Sequence, residues 1–170
     1  MKPEVFLRPW KKSDAPKLAQ LANNKNIWNN VRDSLPQPYT FKNAEEWIFY
    51  CNRQKPLLNF AVIYNTQIAG SIGCILKTDV YRKSMEIGYF IGEEYWNFGI
   101  ATKAVHILLD YIHKEFRTVR VTAEVFAHNK ASMRVLYNNG FYLESIRRKS
   151  VVKNNEIMDD YVWVKLLERG

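Results

Sequence analysis

Residues 86–102 read EIGYFIGEEYWNFGIAT. Their opening part, with Met85 before it, is a strand-like apolar run to Ile91. A short polar turn follows and leads into Asn97-Phe98-Gly99-Ile100-Ala101-Thr102, where a long amphipathic segment begins. A strand, a turn carrying glycine and a helix start present backbone N–H groups to an anion. The first four N–H groups of a helix have no internal acceptor, and the helix dipole adds partial positive charge there. Gly99 lets a ligand approach the backbone without a Cβ in the way. A plain strand-to-helix turn has the same local pattern, so the flanking sequence has to decide.

Downstream, Ala101, Ala104, Val105, Leu108, Ile112 and Phe116 recur at helical spacing, predicting a helix over 100–116 with that stripe buried. Lys103, His106, Asp110, His113 and Lys114 fall on the other face. His106, Asp110 and His113 have a spacing that could hold a metal, but they lie opposite the apolar stripe and read as a solvated surface. A β-branched strand is expected over 119–126. Asn129 caps the next helix, which ends at Gly140. Strands over 141–152 and 157–167 flank the turn Lys153-Asn154-Asn155-Glu156.

Upstream, Val5-Phe6-Leu7 is a short strand, and Ser13 is the expected cap of a helix over 17–23 with Pro16 in its first turn. Residues 23–39 read as one long irregular loop carrying Trp28, Arg32, Asp33 and Tyr39. Asn43 and Glu46 have capping-box spacing ahead of an apolar face made of Ala44, Trp47, Ile48 and Cys51. Strands over 59–64 and 68–76 enclose a tight turn, and a polar connection over 78–83 leads to the strand over 84–91. The order β-α-α-β-β-β-α-β-α-β-β interrupts only some strands with helices. It predicts an α+β fold on a mixed sheet, in one domain over 1–170.

Composition bounds the function. A chain of 170 residues, 47% hydrophobic and 25% charged, can bury one sizeable core. No apolar run approaches the roughly 20 residues of a membrane span. The start MKPEVFLRPWKK has no hydrophobic leader segment, so a cytoplasmic protein is expected. Cys51 and Cys74 sit among apolar residues and read as reduced core thiols. The formal charge of +8 is scattered, with clusters at Lys11-Lys12 and Arg147-Arg148-Lys149. No basic run is interleaved with aromatics, which argues against nucleic acid and for a solvated surface, a phosphate-rich ligand or an acidic partner.

On these motifs the chain resembles the GNAT superfamily of N-acetyltransferases. That family opens a long helix with Q/R-x-x-G-x-G/A, here Trp96-Asn97-Phe98-Gly99-Ile100-Ala101. Trp at the first position resembles the branch of ribosomal-protein N-terminal acetyltransferases. The branch's second signature, N-x-x-S-x-x-V-L-x-x-x-G-F, is complete in Asn129, Ser132, Val135, Leu136, Gly140 and Phe141. Glu86-Ile87-Gly88-Tyr89 and the loop over 32–39 also look like that branch.

The resemblance implies a mostly antiparallel mixed sheet whose two central parallel strands splay apart, and acetyl-CoA as co-substrate without a metal. Backbone groups at Phe90 and Ile91 would meet the pantetheine arm. Asn97, Phe98, Gly99, Ile100, Ala101 and Thr102 would hold the pyrophosphate, and Asn129 and Ser132 would flank the arm from the next helix. A bulge is expected at Gly88. An amine must lose a proton before it attacks a thioester; Glu86, acting through water, is the expected base, with Glu124 its rival. The family's usual acid is a tyrosine four residues before the motif's last glycine. That position is Leu136 here and Tyr137 lies one place on, so Ser132, Tyr137 or no acid at all stay open, a thiol pKa being only about 8.5. Asp33, Tyr39 and Trp28 fall where the family covers the acceptor, although the aromatics also suit a role of pinning the loop.

The implied reaction moves an acetyl group to a primary amine, with a protein N-terminal α-amino group first in line. A small-molecule amine of polyamine or aminoglycoside type is the close alternative. A non-catalytic acyl-CoA-binding regulator and a basic RNA- or ribosome-binding module come from other classes. Monomer and homodimer are both open.

Overall fold

The computed structural model describes residues 4–168. The chain forms two compact units. Met1–Gly73 with Tyr89–Leu108 make the first, and Cys74–Gly88 with Leu109–Gly170 the second. The strands, numbered along the chain as β1 (Val5–Arg8), β2 (Asn59–Tyr64), β3 (Gln67–Leu76), β4 (Ser84–Ile91), β5 (Arg120–Phe126), β6 (Tyr142–Lys153) and β7 (Glu156–Leu166), are hydrogen-bonded in the order β1-β2-β3-β4-β5-β7-β6.

In the first unit, β1 (Val5–Arg8) runs antiparallel to β2 (Asn59–Tyr64), which pairs antiparallel with β3 (Gln67–Leu76). Around them stand α1 (Ala15–Ala22), α2 (Lys25–Trp28) and α3 (Phe41–Asn52). Leu18, Leu21 and Ala22 of α1, Ala44, Ile48 and Cys51 of α3, and Ala61 and Ile63 of β2 share one buried cluster. Each large aliphatic side chain fully withdrawn from water there contributes about 1.5–3 kcal/mol.

Three starts differ from the sequence reading, all through local capping. Ser13 does not cap α1. It lies in a 3-10 turn, Lys12–Asp14, and Asp14 is held by the Arg8 fork at 2.6 and 3.0 Å and by the Lys11 amide at 2.8 Å. Although burial pushes the Asp14 carboxyl up, these donors outweigh it and hold it below its usual range. The expected loop over 23–39 contains α2, because the Asn24 side chain accepts from the amides of Asn26 and Ile27. α3 begins at Phe41 because Thr40 and Asn43 form the capping box, three residues ahead of the expected pair.

Gly70 on β3 marks a close approach. A Cβ there would lie 2.2 Å from the Phe90 carbonyl oxygen, a backbone atom that cannot swing aside. Gly70→Ala should therefore destabilise the protein by about 1–3 kcal/mol in urea unfolding. A change below about 0.5 kcal/mol, the range of neutral surface substitutions, would refute this packing account.

In the second unit, the start of β4 (Ser84–Ile91) runs parallel to β5 (Arg120–Phe126), pairing Ser84, Met85 and Glu86 with Arg120, Val121 and Thr122. β5 pairs antiparallel with β7 (Glu156–Leu166), which pairs antiparallel with β6 (Tyr142–Lys153). The mixed, mostly antiparallel sheet expected from sequence is present. The tight turn between β6 and β7 has Asn154 and Asn155 at φ of 53° and 61°, the left-handed pair that a two-residue hairpin needs.

α4 (Ile100–Glu115) buries Ile100, Ala104, Val105, Leu108, Leu109 and Ile112 and exposes His106, Asp110 and His113; of the expected stripe, Ala101 is only half-buried, and Phe116, also half-buried, falls one residue past the helix. α5 (Lys130–Asn138) is capped by the Asn129 side chain, which accepts from the Ser132 amide at 3.1 Å. It ends in a Schellman motif: the Gly140 amide donates to Tyr137 O at 3.0 Å, the Phe141 amide to Leu136 O at 3.1 Å, and Gly140 has φ of 77°. Both ends are thus dictated by the Asn129-to-Phe141 signature, whatever else those residues do.

Candidate active site

In the first unit, β4 ends at Ile91 and the chain turns through Gly92 and a 3-10 turn, Glu93–Tyr95. The Gly92 amide donates to Ala69 O at 2.8 Å, fixing where the strand stops. Asn24 and Asn26 donate to the two Glu93 oxygens at 2.7 and 2.9 Å, and Lys17 meets Glu94 at 2.8 Å. That Lys17 hydrogen bond holds the Glu94 carboxyl below its usual range. Trp96 accounts for its departure from the family's first motif position. Its Nε1 donates to Ile91 O at 2.7 Å and ties the turn back to the strand end.

Beyond Trp96 the backbone takes two left-handed residues, Asn97 at φ of 66° and Gly99 at 73°. The first helical bond runs from the Lys103 amide to Gly99 O at 3.1 Å. Gly99 is thus the N-cap, and the helix offers no acceptor to the preceding amides, among them those of Ile100 and Ala101. A Cβ on Gly99 would meet nothing within 4 Å, so the turn opens into free space. Phe98 is exposed, with its ring 6.1 Å from that of Tyr64. Exposed left-handed residues, uncapped amides and the positive end of a 16-residue helix make a nest suited to a phosphate group.

Two residues expected near the acceptor behave differently from each other. Tyr39 is buried in the core cluster, and burial pushes its phenol up to about 12. Asp33 is exposed. Trp28 donates from Nε1 to Leu35 O at 3.0 Å, and the Tyr39 amide donates to Asn23 Oδ1 at 3.1 Å, so both aromatic residues fasten this segment.

In the second unit, Glu86 is buried and Oε2 accepts from Lys77 Nζ at 2.6 Å. Alternation along β5 puts Glu124 on the same face as Thr122, the residue paired with Glu86. Glu124 meets Arg147 of β6 at 2.8 Å, and Arg147 also reaches Asp160 of β7 at 3.3 Å. The Glu124 hydrogen bond chiefly pushes the Arg147 pKa up, so the guanidinium stays charged. Arg120 and Glu144 form a two-pronged pair nearby. Lys77, Glu124, Arg147, Arg120 and Glu144 border a cavity of about 390 Å³, which Tyr81, Ser84, Thr122, Ser145 and Val162 also line; Glu86 and Asp160 lie behind that lining. Sequence reasoning named Glu86 and Glu124 but missed Lys77 and Arg147, because ion pairs across strands leave no local spacing signal. Arg147 was visible only as part of a basic run; Arg148 of that run pairs with Asp159 at 2.7 Å.

Ser132 stands in the first turn of α5, half-buried, with its amide on Asn129. Tyr137 is exposed at 68% and Leu136 is fully buried, so the helix register turns the tyrosine to solvent. Gly88 is exposed, and a Cβ there would meet nothing within 4 Å, so packing does not explain this glycine. Cys51 and Cys74 are buried, neither is in a disulfide, and burial pushes both thiols up to about 12. Among the described residues no group of three or more His, Cys, Asp or Glu is placed to hold a metal, and no helix is long and apolar enough to cross a membrane.

Known proteins resemble this chain in sequence and in fold. A probable N-acetyltransferase of Bacillus subtilis (strain 168), YjcK, is 35% identical over 99 residues, covering 56% of this chain and 54% of the relative. The chain thus spans about half the length of the curated relatives it matches. RimL, a ribosomal L7/L12 alpha-N-protein acetyltransferase solved in complex with coenzyme A, has the same fold with a TM-score of 0.84 at 19% identity, over 96% of this chain and 94% of that one. An acetyl transferase from Salmonella typhimurium that modifies the N-terminal serine of 50S ribosomal subunit protein L7/L12 matches at 0.81 and 18% identity, over 96% and 95%. The family description "Acetyltransferase (GNAT) domain" matches residues 4–142, which take in the Gly99 turn, Glu86 and the capped start of α5. With most of its length and both signatures inside that match, the chain belongs to the GNAT acetyltransferase domain family.

Proposed function

We propose that this protein is an N-acetyltransferase that uses acetyl-CoA and acts on a primary amine, with the α-amino group of a polypeptide as the preferred acceptor. The observation that carries the reading is the start of α4. Left-handed Asn97 and Gly99 open it, and the helix leaves the Ile100 and Ala101 amides without an internal acceptor. That donor set fits a pyrophosphate in charge and in hydrogen-bonding capacity. The turn 97–102 then binds the diphosphate, and the backbone at Phe90 and Ile91 meets the pantetheine arm. Ile91 O already accepts from Trp96, so the turn and the strand end are held in one arrangement before any ligand arrives. Asn129 and Ser132, at the capped start of α5, are assigned to co-substrate binding as well.

Acetyl-CoA supplies an acetyl thioester: the amine nitrogen forms a bond to the acetyl carbon, the C–S bond breaks, and the products are an N-acetyl amine and CoA thiol. This chain's residues supply the rest. Glu86 takes the proton the amine must lose, through water, and Lys77 holds that carboxylate in place. Glu124, paired with Arg147, is the alternative base. Ser132 is the group available to return a proton to sulfur; Tyr137, facing solvent, is not. Asp33 faces the acceptor, and Tyr39 holds its loop from the core side.

The α-amino preference is supported by the fold neighbours named for ribosomal-protein N-terminal acetylation. Thiol release should be measured with acetyl-CoA against peptides of varied N-terminus, alongside spermidine and kanamycin. Turnover with unblocked peptides and none with N-formyl peptides is expected. Turnover confined to the small amines would reassign the acceptor. Tight CoA binding with no transfer to any amine would make the chain a regulator.

A further inference from the structure

The connection between β3 and β4 exposes more apolar surface than its order requires. Ile75 and Leu76 at the end of β3 are 55% and 41% exposed, and Val80 and Tyr81 are 69% exposed each. The segment is nevertheless fixed. The Lys77 amide donates to Ser84 O at 3.1 Å, the Tyr81 amide to Thr78 O at 3.1 Å, the Arg82 amide to Asp79 O at 3.2 Å, and Lys83 O accepts from Val119 at 2.9 Å. Asp79 sits at φ of 56°, a left-handed conformation that Asp tolerates better than most residues. A turn built this firmly, yet presenting valine and tyrosine to water, is preorganised for contact. Rigid aromatic side chains give up little entropy when covered.

Two features say what covers it. The surface is continuous with the charged cavity, because Lys77 and Tyr81 line both. Its outer part is basic: Lys77 is committed to Glu86 and Arg82 donates to Asp79 O at 3.1 Å, while Arg82 and Lys83 are both exposed in a chain of net charge +8. A small amine in the 390 Å³ cavity could touch Lys77 and Tyr81, which line it, but Val80, Arg82 and Lys83 lie outside that lining.

We propose that residues 75–83 form a docking platform for the body of a polypeptide acceptor with acidic side chains a few residues after its amino terminus. The terminus enters the cavity toward the Lys77–Glu86 pair, an apolar residue packs on Val80 and Tyr81, and carboxylates meet Arg82 and Lys83. This inference rests on the acyl-transfer reading above and narrows its acceptor class.

The test uses the whole chain, acetyl-CoA and two heptapeptides that share a neutral Ser-Ala-Leu-Ala start. One carries glutamate at positions five to seven and the other lysine. The wild type should favour the glutamate peptide by about tenfold in kcat/KM, as expected for rim charge complementarity. The double substitution Arg82→Glu with Lys83→Glu should bring that ratio to one or invert it. Because both peptides are assayed on the same preparation, partial unfolding cancels from the ratio. In Val80→Ser, kcat/KM for the glutamate heptapeptide relative to Ser-Ala amide should fall severalfold. A wild-type ratio within twofold of one, or an unchanged ratio in the double variant, overturns the platform while leaving peptide acetylation intact. Transfer to small amines but to no peptide overturns both readings. Salt-sensitive binding of poly(U) that the double variant loses, without peptide discrimination, assigns the surface to RNA and overturns the acceptor.

Discussion

Glu86→Gln should lower kcat for acetyl transfer by about 10²- to 10⁴-fold, the range for removal of a positioned general base. The amide keeps the shape of the carboxylate and can still accept from Lys77, which lies at 2.6 Å in the wild type. What it loses is the capacity to take a proton. Glu86 is buried, but the Lys77 side chain is 40% exposed, so water can solvate the ammonium once its counter-charge is gone. The fold should therefore survive, and the affinity for acetyl-CoA, measured by titration, should stay within a few-fold of wild type. Glu124→Gln is the informative partner. Glu124 is held by Arg147, which Asp160 also holds, so its loss should loosen that network and cost less than about tenfold in kcat. If Glu124→Gln is the silent enzyme and Glu86→Gln turns over normally, the two roles are exchanged.

Gly99→Val should weaken acetyl-CoA binding by about 10- to 100-fold, equivalent to losing one or two charge-assisted amide contacts. The reason is conformational rather than steric. A Cβ at Gly99 would touch nothing within 4 Å, but the residue sits at φ of 73°, where a β-branched side chain is a genuine outlier. Valine must leave that region, and the amides that follow turn with it. Because Gly99 is the N-cap of α4, helical order from Lys103 onward should persist and the melting temperature should fall only slightly. Gly99→Asn, which tolerates left-handed backbone, should recover much of the affinity. Equal losses in both variants would mean that the open space above the turn, and not its backbone, is what the ligand needs.

The sequence was most legible where chemistry and period coincide. The apolar stripe of α4, the Asn129 cap, the glycine stop at Gly140 and the Asn154-Asn155 hairpin each depend on residues within one or two turns of one another. Errors arose where two local acceptors competed. Ser13 looked like a cap, but its neighbour Asp14 had Arg8 to bind, and Asn43 served Thr40 as a box partner when it had seemed the cap itself. α2 was hidden because a one-turn helix has no period to detect; only its Asn24 cap gave a signal.

The candidate site divides the same way. The phosphate-type turn is a local motif and could be read directly. The environment of Glu86 could not, since Lys77 is nine residues away around a connection and Arg147 arrives on another strand. Tyr39 shows the converse: an aromatic in a functional-looking loop that the structure commits to the core.

The most direct test of the central claim is mass spectrometry of an unblocked N-terminal peptide after incubation with the protein and acetyl-CoA. The expected result is one acetyl group on the α-nitrogen, matched by an equal amount of free CoA thiol and lost in Glu86→Gln. An unmodified peptide and intact acetyl-CoA, under conditions where titration shows the co-substrate bound, would contradict it.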